Sequence, residues 1–203
     1  MILSEPEYKL KIILAELTPR QLCHNRSYMH HIGIYSGTFD PVHVGHVTFA
    51  DAARRVAGLD KVIFMPEDTP RGKINITDIN TRMTRLDAAL SESQHETYRA
   101  RHPQFTITET LVELKSQYPG ATLSFLIGSD VVPSLAAWPH LDQLIRNHQI
   151  IVGMREPHVQ QEIEQILRQL GANCLILTTP HAHVSSRRIR SRPETVRSPR
   201  KNL

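Results

Sequence analysis

His43 and His46 are the residues of this chain whose type and spacing point most directly to chemistry. They close the run Ser36-Gly37-Thr38-Phe39-Asp40-Pro41-Val42-His43-Val44-Gly45-His46 and stand three apart, so on the first turn of a helix they share a face. Two imidazoles aimed at one point can donate hydrogen bonds to a phosphorus centre that is gaining negative charge. The surroundings suit a phosphate. His31-Ile32-Gly33-Ile34-Tyr35 ahead of the run has strand character, and Val47 to Ala57 behind it has helix character and stops at Gly58. A loop from strand to helix directs free backbone N–H groups, and the positive end of the helix dipole, at whatever lies over the strand end. Gly37 lets a phosphate approach the main chain, and Gly45 lets a flat base lie close to it.

The elements that must position this loop follow in an alternating order. Asp60 to Pro66 is a second strand, and strand, helix, strand at this spacing gives a parallel pair with a crossover. Glu67 to Lys73 is then a polar loop at the ligand edge of the sheet, where Arg71 and Lys73 either meet phosphate or form an exposed basic loop. Thr77 to Leu90 predicts a helix capped by Thr77 or Asp78, with Ile79, Met83, Leu86 and Leu90 inward. Residues 91–104 read as polar and irregular, and Thr106 to Tyr118 as a helix with Leu111 and Leu114 inward. Strands are expected at Leu123 to Ile127, Gln149 to Met154 and Asn173 to Thr178, with an amphipathic helix between Glu156 and Gly171. Near the start, Leu10, Ile13, Leu14 and Leu17 fall at helical spacing and predict an amphipathic helix ending near Thr18-Pro19. The expected division is a helical extension over 1–30, a central domain over 31–190 and a basic, disordered tail over 191–203.

Two further stretches carry chemistry. Gly128-Ser129-Asp130 ends a buried strand, where a carboxylate can take ribose hydroxyls and a glycine admits a sugar or base. Trp138, the single Trp of the chain, fits a core position or a ligand face. Ser185 and Ser186 at a helix start, with Arg190 one turn on, form a second anion clamp.

Composition bounds the alternatives. In 203 residues there is no apolar run of roughly 18, so a membrane span is not expected. The two cysteines, Cys23 and Cys174, suggest neither a disulfide framework nor a thiol metal site, and no histidine cluster has ligand spacing, so no protein-held metal is expected and a reducing cytoplasm suits the chain. Of the formal charge of +4, residues from Arg187 onward contribute +6, which leaves −2 for everything before them. Binding to nucleic acid is therefore open only through the tail. Self-association through the first thirty residues is open as well.

The stretch Gly37 to His46 resembles the H-x-G-H signature of the nucleotidyltransferase superfamily, in the form G-T-F-D-P-x-H-x-G-H that is most similar to the bacterial nicotinate (nicotinamide) mononucleotide adenylyltransferases. Gly128 to Asp130, Trp138 eight residues later and the run to Arg155 resemble the same family, as do Ser185, Ser186, Ile189 and Arg190 of its I-S-S-T-x-I-R element, where Arg187 replaces threonine. Residues 71–72 and 106–107 depart from the family pattern.

The resemblance implies a Rossmann-like, doubly wound parallel sheet. It also implies transfer of AMP from ATP, carried with Mg²⁺, to a pyridine mononucleotide, with release of pyrophosphate. It gives His43 and His46 the transferring phosphate, and Gly37, Thr38, Phe39, Gly45, Ser185, Ser186 and Arg190 the ATP. Gly128, Asp130, Trp138 and Arg155 fall to the mononucleotide, with Trp138 against the pyridine ring. A sister transferase using phosphopantetheine or CTP, and a catalytically weak nucleotide-binding regulator, are the alternatives. A class I aminoacyl-tRNA synthetase would need a K-M-S-K-S partner that the chain lacks.

Overall fold

The computed structural model describes residues 10–14, 30–181, 184 and 186–190. Their architecture follows from the apolar runs of residues 31–37, 61–66, 122–128, 149–154 and 174–178, which become strands buried along most of their length. The strands are β1 (Leu10–Leu14), β2 (His31–Gly37), β3 (Lys61–Pro66), β4 (Glu96–Thr97), β5 (Thr122–Gly128), β6 (Gln149–Met154) and β7 (Cys174–Thr178). They pair in parallel in the order β1-β7-β6-β5-β2-β3-β4. The helices are α1 (Val44–Ala57), α2 (Ile79–Leu90), α3 (Ile107–Gln117), α4 (Leu141–Asn147), α5 (Gln160–Gln169) and α6 (Ser186–Arg190).

Alternation along each strand divides the core in two. Ile63 and Met65 of β3 enter the same cluster as Phe125, Leu114 and Leu167, while Val62 and Phe64 enter the opposite one with Phe49 and Leu86. The helices therefore cover both faces of the sheet, as a doubly wound fold requires. From β2 the chain moves outward to β3 and β4, then crosses back to β5, β6 and β7 on the other side. The connections after β2 and β5 diverge at this switch point, which leaves a crevice over their carboxyl ends.

Two expectations are corrected. Leu10–Leu14, expected in an amphipathic helix, is a strand whose backbone pairs with β7 from Leu10↔Cys174 to Leu14↔Thr178. An open parallel edge offers an apolar, β-branched segment a row of hydrogen-bonding partners, which its helical spacing did not announce. The remaining expectations for residues 1–29, and those for the tail from 191, lie outside the described residues. Within 91–104 the short strand β4 extends the sheet, with Ile63↔Glu96 and Phe64↔Thr97 opposite each other. The helix of α1 ends as its sequence indicates: Gly58 takes the left-handed conformation at φ 65°, and Leu59 N–H reaches back to Arg54 O (2.9 Å).

Candidate active site

The loop between β2 and α1 delivers the histidine pair. His43 precedes the first turn of α1 in extended conformation, and its N–H donates to His46 Nδ1 (3.2 Å). A neutral His46 ring that accepts at Nδ1 carries its proton on Nε2. The two rings stack with centroids 3.6 Å apart and an interplanar angle of 23°. Burial, then the neighbouring His43, Arg155 and Lys73 charges, pushes the His46 pKa down to about 2. Burial, then Arg155, lowers that of His43 to about 4. Both imidazoles are thus uncharged donors near neutral pH. The two ring nitrogens of His43 are enclosed and have no hydrogen-bond partner among the described residues, an arrangement that a bound acceptor or donor would complete. Tyr35 of β2 supports the pair, with its ring edge-on to Phe39 (5.2 Å), Phe49 (5.5 Å) and His46 (5.9 Å).

A buried polar frame holds the loop. Arg82 is fully buried on α2, and its guanidinium donates to the carbonyls of Thr77 (2.7 Å), Thr38 (2.9 Å), Glu67 (2.8 Å) and Asp68 (3.2 Å). One side chain therefore joins the connections that leave β2 and β3. Asp40, also buried, accepts from Thr77 N–H (3.0 Å). Burial alone would raise the Asp40 carboxyl, but the Thr77 hydrogen bonds and the Arg190 and Arg82 charges outweigh it and hold the group below its ordinary range.

This frame was not read from the sequence, although a signal was there. Ile79, Arg82 and Leu86 share the buried face of α2, and Met83, expected inward, is only half-buried. An arginine at helical spacing from two buried apolar residues is a candidate for satisfying backbone carbonyls.

Opposite the histidines, Asp130 Oδ1 lies 3.3 Å from Arg155 Nε, and Arg155 N–H donates to Ser129 Oγ (3.2 Å). The Asp130 carboxylate folds over Gly128 so closely that a Cβ there would collide with it. Trp138 is half-buried at the end of a 3-10 turn spanning Val132–Ala137, with its ring 6.0 Å from that of Phe105. Ser186 Oγ donates to Pro41 O (2.8 Å), and Arg190 Nη1 donates to Asp40 O, so α6 is docked on the histidine loop. Ser185 lies outside the described residues.

These parts meet around one cavity of about 710 Å³. Of the residues expected at the site, Gly37, Thr38, Phe39, His46, Gly128, Asp130, Trp138, Arg155, Ser186 and Arg190 line it, and so do Arg71 and Lys73. His43 and Gly45 line an adjoining hollow of about 30 Å³, which His46, Gly128 and Arg155 share. Gly45 departs from expectation: a Cβ on it would lie 2.8 Å from the His181 carbonyl and 3.1 Å from the His43 ring. The close neighbours of its bare face are thus groups of this chain, where a flat base was expected. Glu67, to which the sequence alone assigns no role, and Phe105 also line the large cavity. Among the described residues no group of three or more His, Cys, Asp or Glu is arranged to hold a metal ion, and no helix is long and apolar enough to cross a membrane.

The chain is similar in sequence and in fold to known proteins. Residues 34–192 match the cytidylyltransferase-like family model. The nicotinate-nucleotide adenylyltransferase of Bacillus subtilis is 34% identical over 171 residues, which cover 81% of this chain and 86% of that protein. A probable nicotinate-nucleotide adenylyltransferase of Dehalococcoides mccartyi is 31% identical over 174 residues, covering 80% and 84%. Among solved structures, the nicotinic acid mononucleotide adenylyltransferase of Plasmodium falciparum complexed with NaAD superposes with a TM-score of 0.65 at 18% identity, over 79% of this chain and 82% of that one. The same protein complexed with APC gives 0.64 at 16% identity.

Proposed function

We propose, from the premise that the chain belongs to the cytidylyltransferase-like family and within it to the nicotinate-nucleotide adenylyltransferases, that it transfers the AMP moiety of ATP to a pyridine mononucleotide in the biosynthesis of NAD. The observation that carries this reading is the pair of stacked, uncharged imidazoles, of which His46 lines a cavity of about 710 Å³ and His43 the hollow that adjoins it.

A phosphate oxygen of the mononucleotide attacks the α-phosphorus of ATP in line. The new P–O bond forms as the bond to the bridging oxygen breaks, and pyrophosphate leaves with that electron pair. No protein nucleophile is required, so catalysis consists of positioning and charge stabilisation. His46 Nε2–H and His43 donate hydrogen bonds to the transferring phosphate. The backbone of Gly37, Thr38 and Phe39 takes phosphate oxygens, and Lys73, Arg71 and Arg190, with Ser185 and Ser186, take the triphosphate. The exposed half of the Asp130 carboxylate meets a ribose, Arg155 holds that carboxylate in place, and Trp138 stacks on the pyridine ring.

Mg²⁺ enters in this reading as part of the substrate. The Asp40 carboxylate is engaged by Thr77, and no described carboxylate cluster offers a cage, which suits an ion held by phosphate oxygens and water. Such a reaction draws on the ATP of the cytoplasm.

The test is direct. Purified protein given ATP, Mg²⁺ and either nicotinate or nicotinamide mononucleotide should release pyrophosphate and form the dinucleotide. Nucleotide binding without pyrophosphate release would identify a binding protein instead.

A further inference from the structure

We propose that the Tyr35 hydroxyl is a third donor to the transferring phosphate, beside His43 and His46. This assignment rests on the proposed adenylyl transfer and adds to it a side chain from the body of β2, outside the histidine loop.

Tyr35 points to the face of the sheet where it packs with Phe49 of α1. Its row across the sheet is Leu126 and Ile151, through the pairs Tyr35↔Leu126 and Leu126↔Ile151. Two residues further along each strand the same face returns at Gly37, Gly128 and Gly153, with Gly128 opposite Gly153. Three neighbouring strands thus carry no side chain above the Tyr35 row. Apolar rings close two of these positions: a Cβ on Gly37 would lie 3.2 Å from the Phe39 ring, and one on Gly153 would lie 3.0 Å from the Phe49 ring. Over Gly128 the nearest groups are Asp130 Oδ1 and the Arg155 guanidinium.

The same two rings hold Tyr35, which is edge-on to Phe39 and Phe49 at interplanar angles of 87° and 89° and tilted against Phe64 (5.3 Å). The polar outlet left to its side chain is over Gly128. There Tyr35 lines both the large cavity and the adjoining hollow, as do His46, Gly128 and Arg155. The phenol and the His46 imidazole therefore face one junction, where the transferring phosphate is placed in the proposed reaction. No described residue is hydrogen-bonded to the Tyr35 hydroxyl. Burial, opposed by the Arg155 charge and assisted by that of Asp130, holds this phenol above its ordinary range. The O–H is thus a donor throughout the neutral range.

A hydroxyl without a partner in an aromatic cluster costs folding free energy, and phenylalanine would fill the same space without that cost. A phosphate oxygen entering the junction supplies the missing acceptor. As the new P–O bond forms and pyrophosphate leaves, the phenol and the two imidazoles donate hydrogen bonds to the charge on that phosphate, and no proton is transferred.

Tyr35→Phe keeps the ring and deletes the hydroxyl alone. Its kinetics with ATP, Mg²⁺ and nicotinate mononucleotide, and its urea midpoint, are compared with wild type. The value of kcat should fall by about tenfold, KM for either substrate should change by less than about twofold, and the midpoint should hold or rise. Combined with His46→Ala, the loss should be smaller than the product of the two single losses, because both donors act on one phosphate. An unchanged kcat overturns the assignment, as does a loss confined to KM or a double variant whose losses multiply. A lowered midpoint or failure to fold makes the hydroxyl a structural group and overturns it as well. In each of these cases pyrophosphate release by the wild type leaves the adenylyl transfer standing. Should the wild type release none, the functional reading and the role of Tyr35 fall together.

Discussion

Arg82 on α2 and Thr38 in the loop after β2 are joined by a hydrogen bond from Nη1 to the Thr38 carbonyl, 2.9 Å long. The same guanidinium reaches three further carbonyls, so the loop after β2 and the loop after β3 share one buried anchor. Truncation to alanine would leave four carbonyls without this donor in a dry environment.

Arg82→Ala should therefore lower stability by about 3–5 kcal/mol and reduce kcat in whatever fraction stays folded. Arg82→Lys should restore little, because a single ammonium cannot reproduce the planar fork. Urea denaturation of the three proteins checks this, and an unchanged midpoint in Arg82→Ala would remove the anchor from the account.

His46→Ala deletes the proposed donor to the transferring phosphate and the acceptor for the His43 N–H. The rate of pyrophosphate release should fall by about 10²- to 10³-fold with the fold intact by circular dichroism. His46→Asn should recover part of the loss if its amide serves both functions. Full activity in the alanine variant would contradict the mechanism.

Burial lowers the pKa of His43, His46, His95 and His148, so below the ordinary value of 6.5 the unfolded chain takes up protons that the folded chain refuses. Stability is then level above 6.5 and falls as pH drops toward about 4 for His43 and about 2 for His46. Asp40, held below its ordinary value of 3.8, adds a further loss under that value. Urea midpoints measured across this range should decline from 6.5 downward, and less steeply when both His43 and His46 are replaced by asparagine. A midpoint constant between 6.5 and 4 would count against neutral buried imidazoles.

Trp138→Ala should raise KM for the mononucleotide by about 3- to 10-fold, since ring stacking contributes about 0.5–1.5 kcal/mol beyond area burial, and should leave KM for ATP close to wild type. Trp138→Phe should lie between the two. Equal effects on both substrates would mean that the ring supports the cavity wall and does not contact the acceptor.

Gly45→Ala places a Cβ 2.8 Å from the His181 carbonyl, a backbone atom that cannot swing aside. The loop carrying His181 must shift away from α1, so activity should fall by about tenfold or more even though the substitution adds a single methyl group. Wild-type kinetics in this variant would show that the loop yields freely.

The linear chain by itself determined most of the sheet and the chemistry of its first loop. Strand and helix periodicities are local properties of neighbouring residues, and His43 and His46 meet across the cap of α1, where the extended His43 donates its N–H to the His46 ring three residues on. The parallel order around β2 followed from the same alternation, through the crossovers it demands.

What only the tertiary structure decided depends on residues brought together across long separations. Leu10–Leu14 became a strand because the edge of β7 was open to it. Arg82 reaches carbonyls as far as 44 positions away, and Glu67 accepts from an amide 38 positions along the chain. A hydrogen bond of that kind has no periodic signature, since it is set by where two turns of backbone come to rest. The part of the cavity built by the contiguous loop from Gly37 to His46 was legible, whereas the part lined by Glu67 and Phe105 is built by two loops that meet only in the fold.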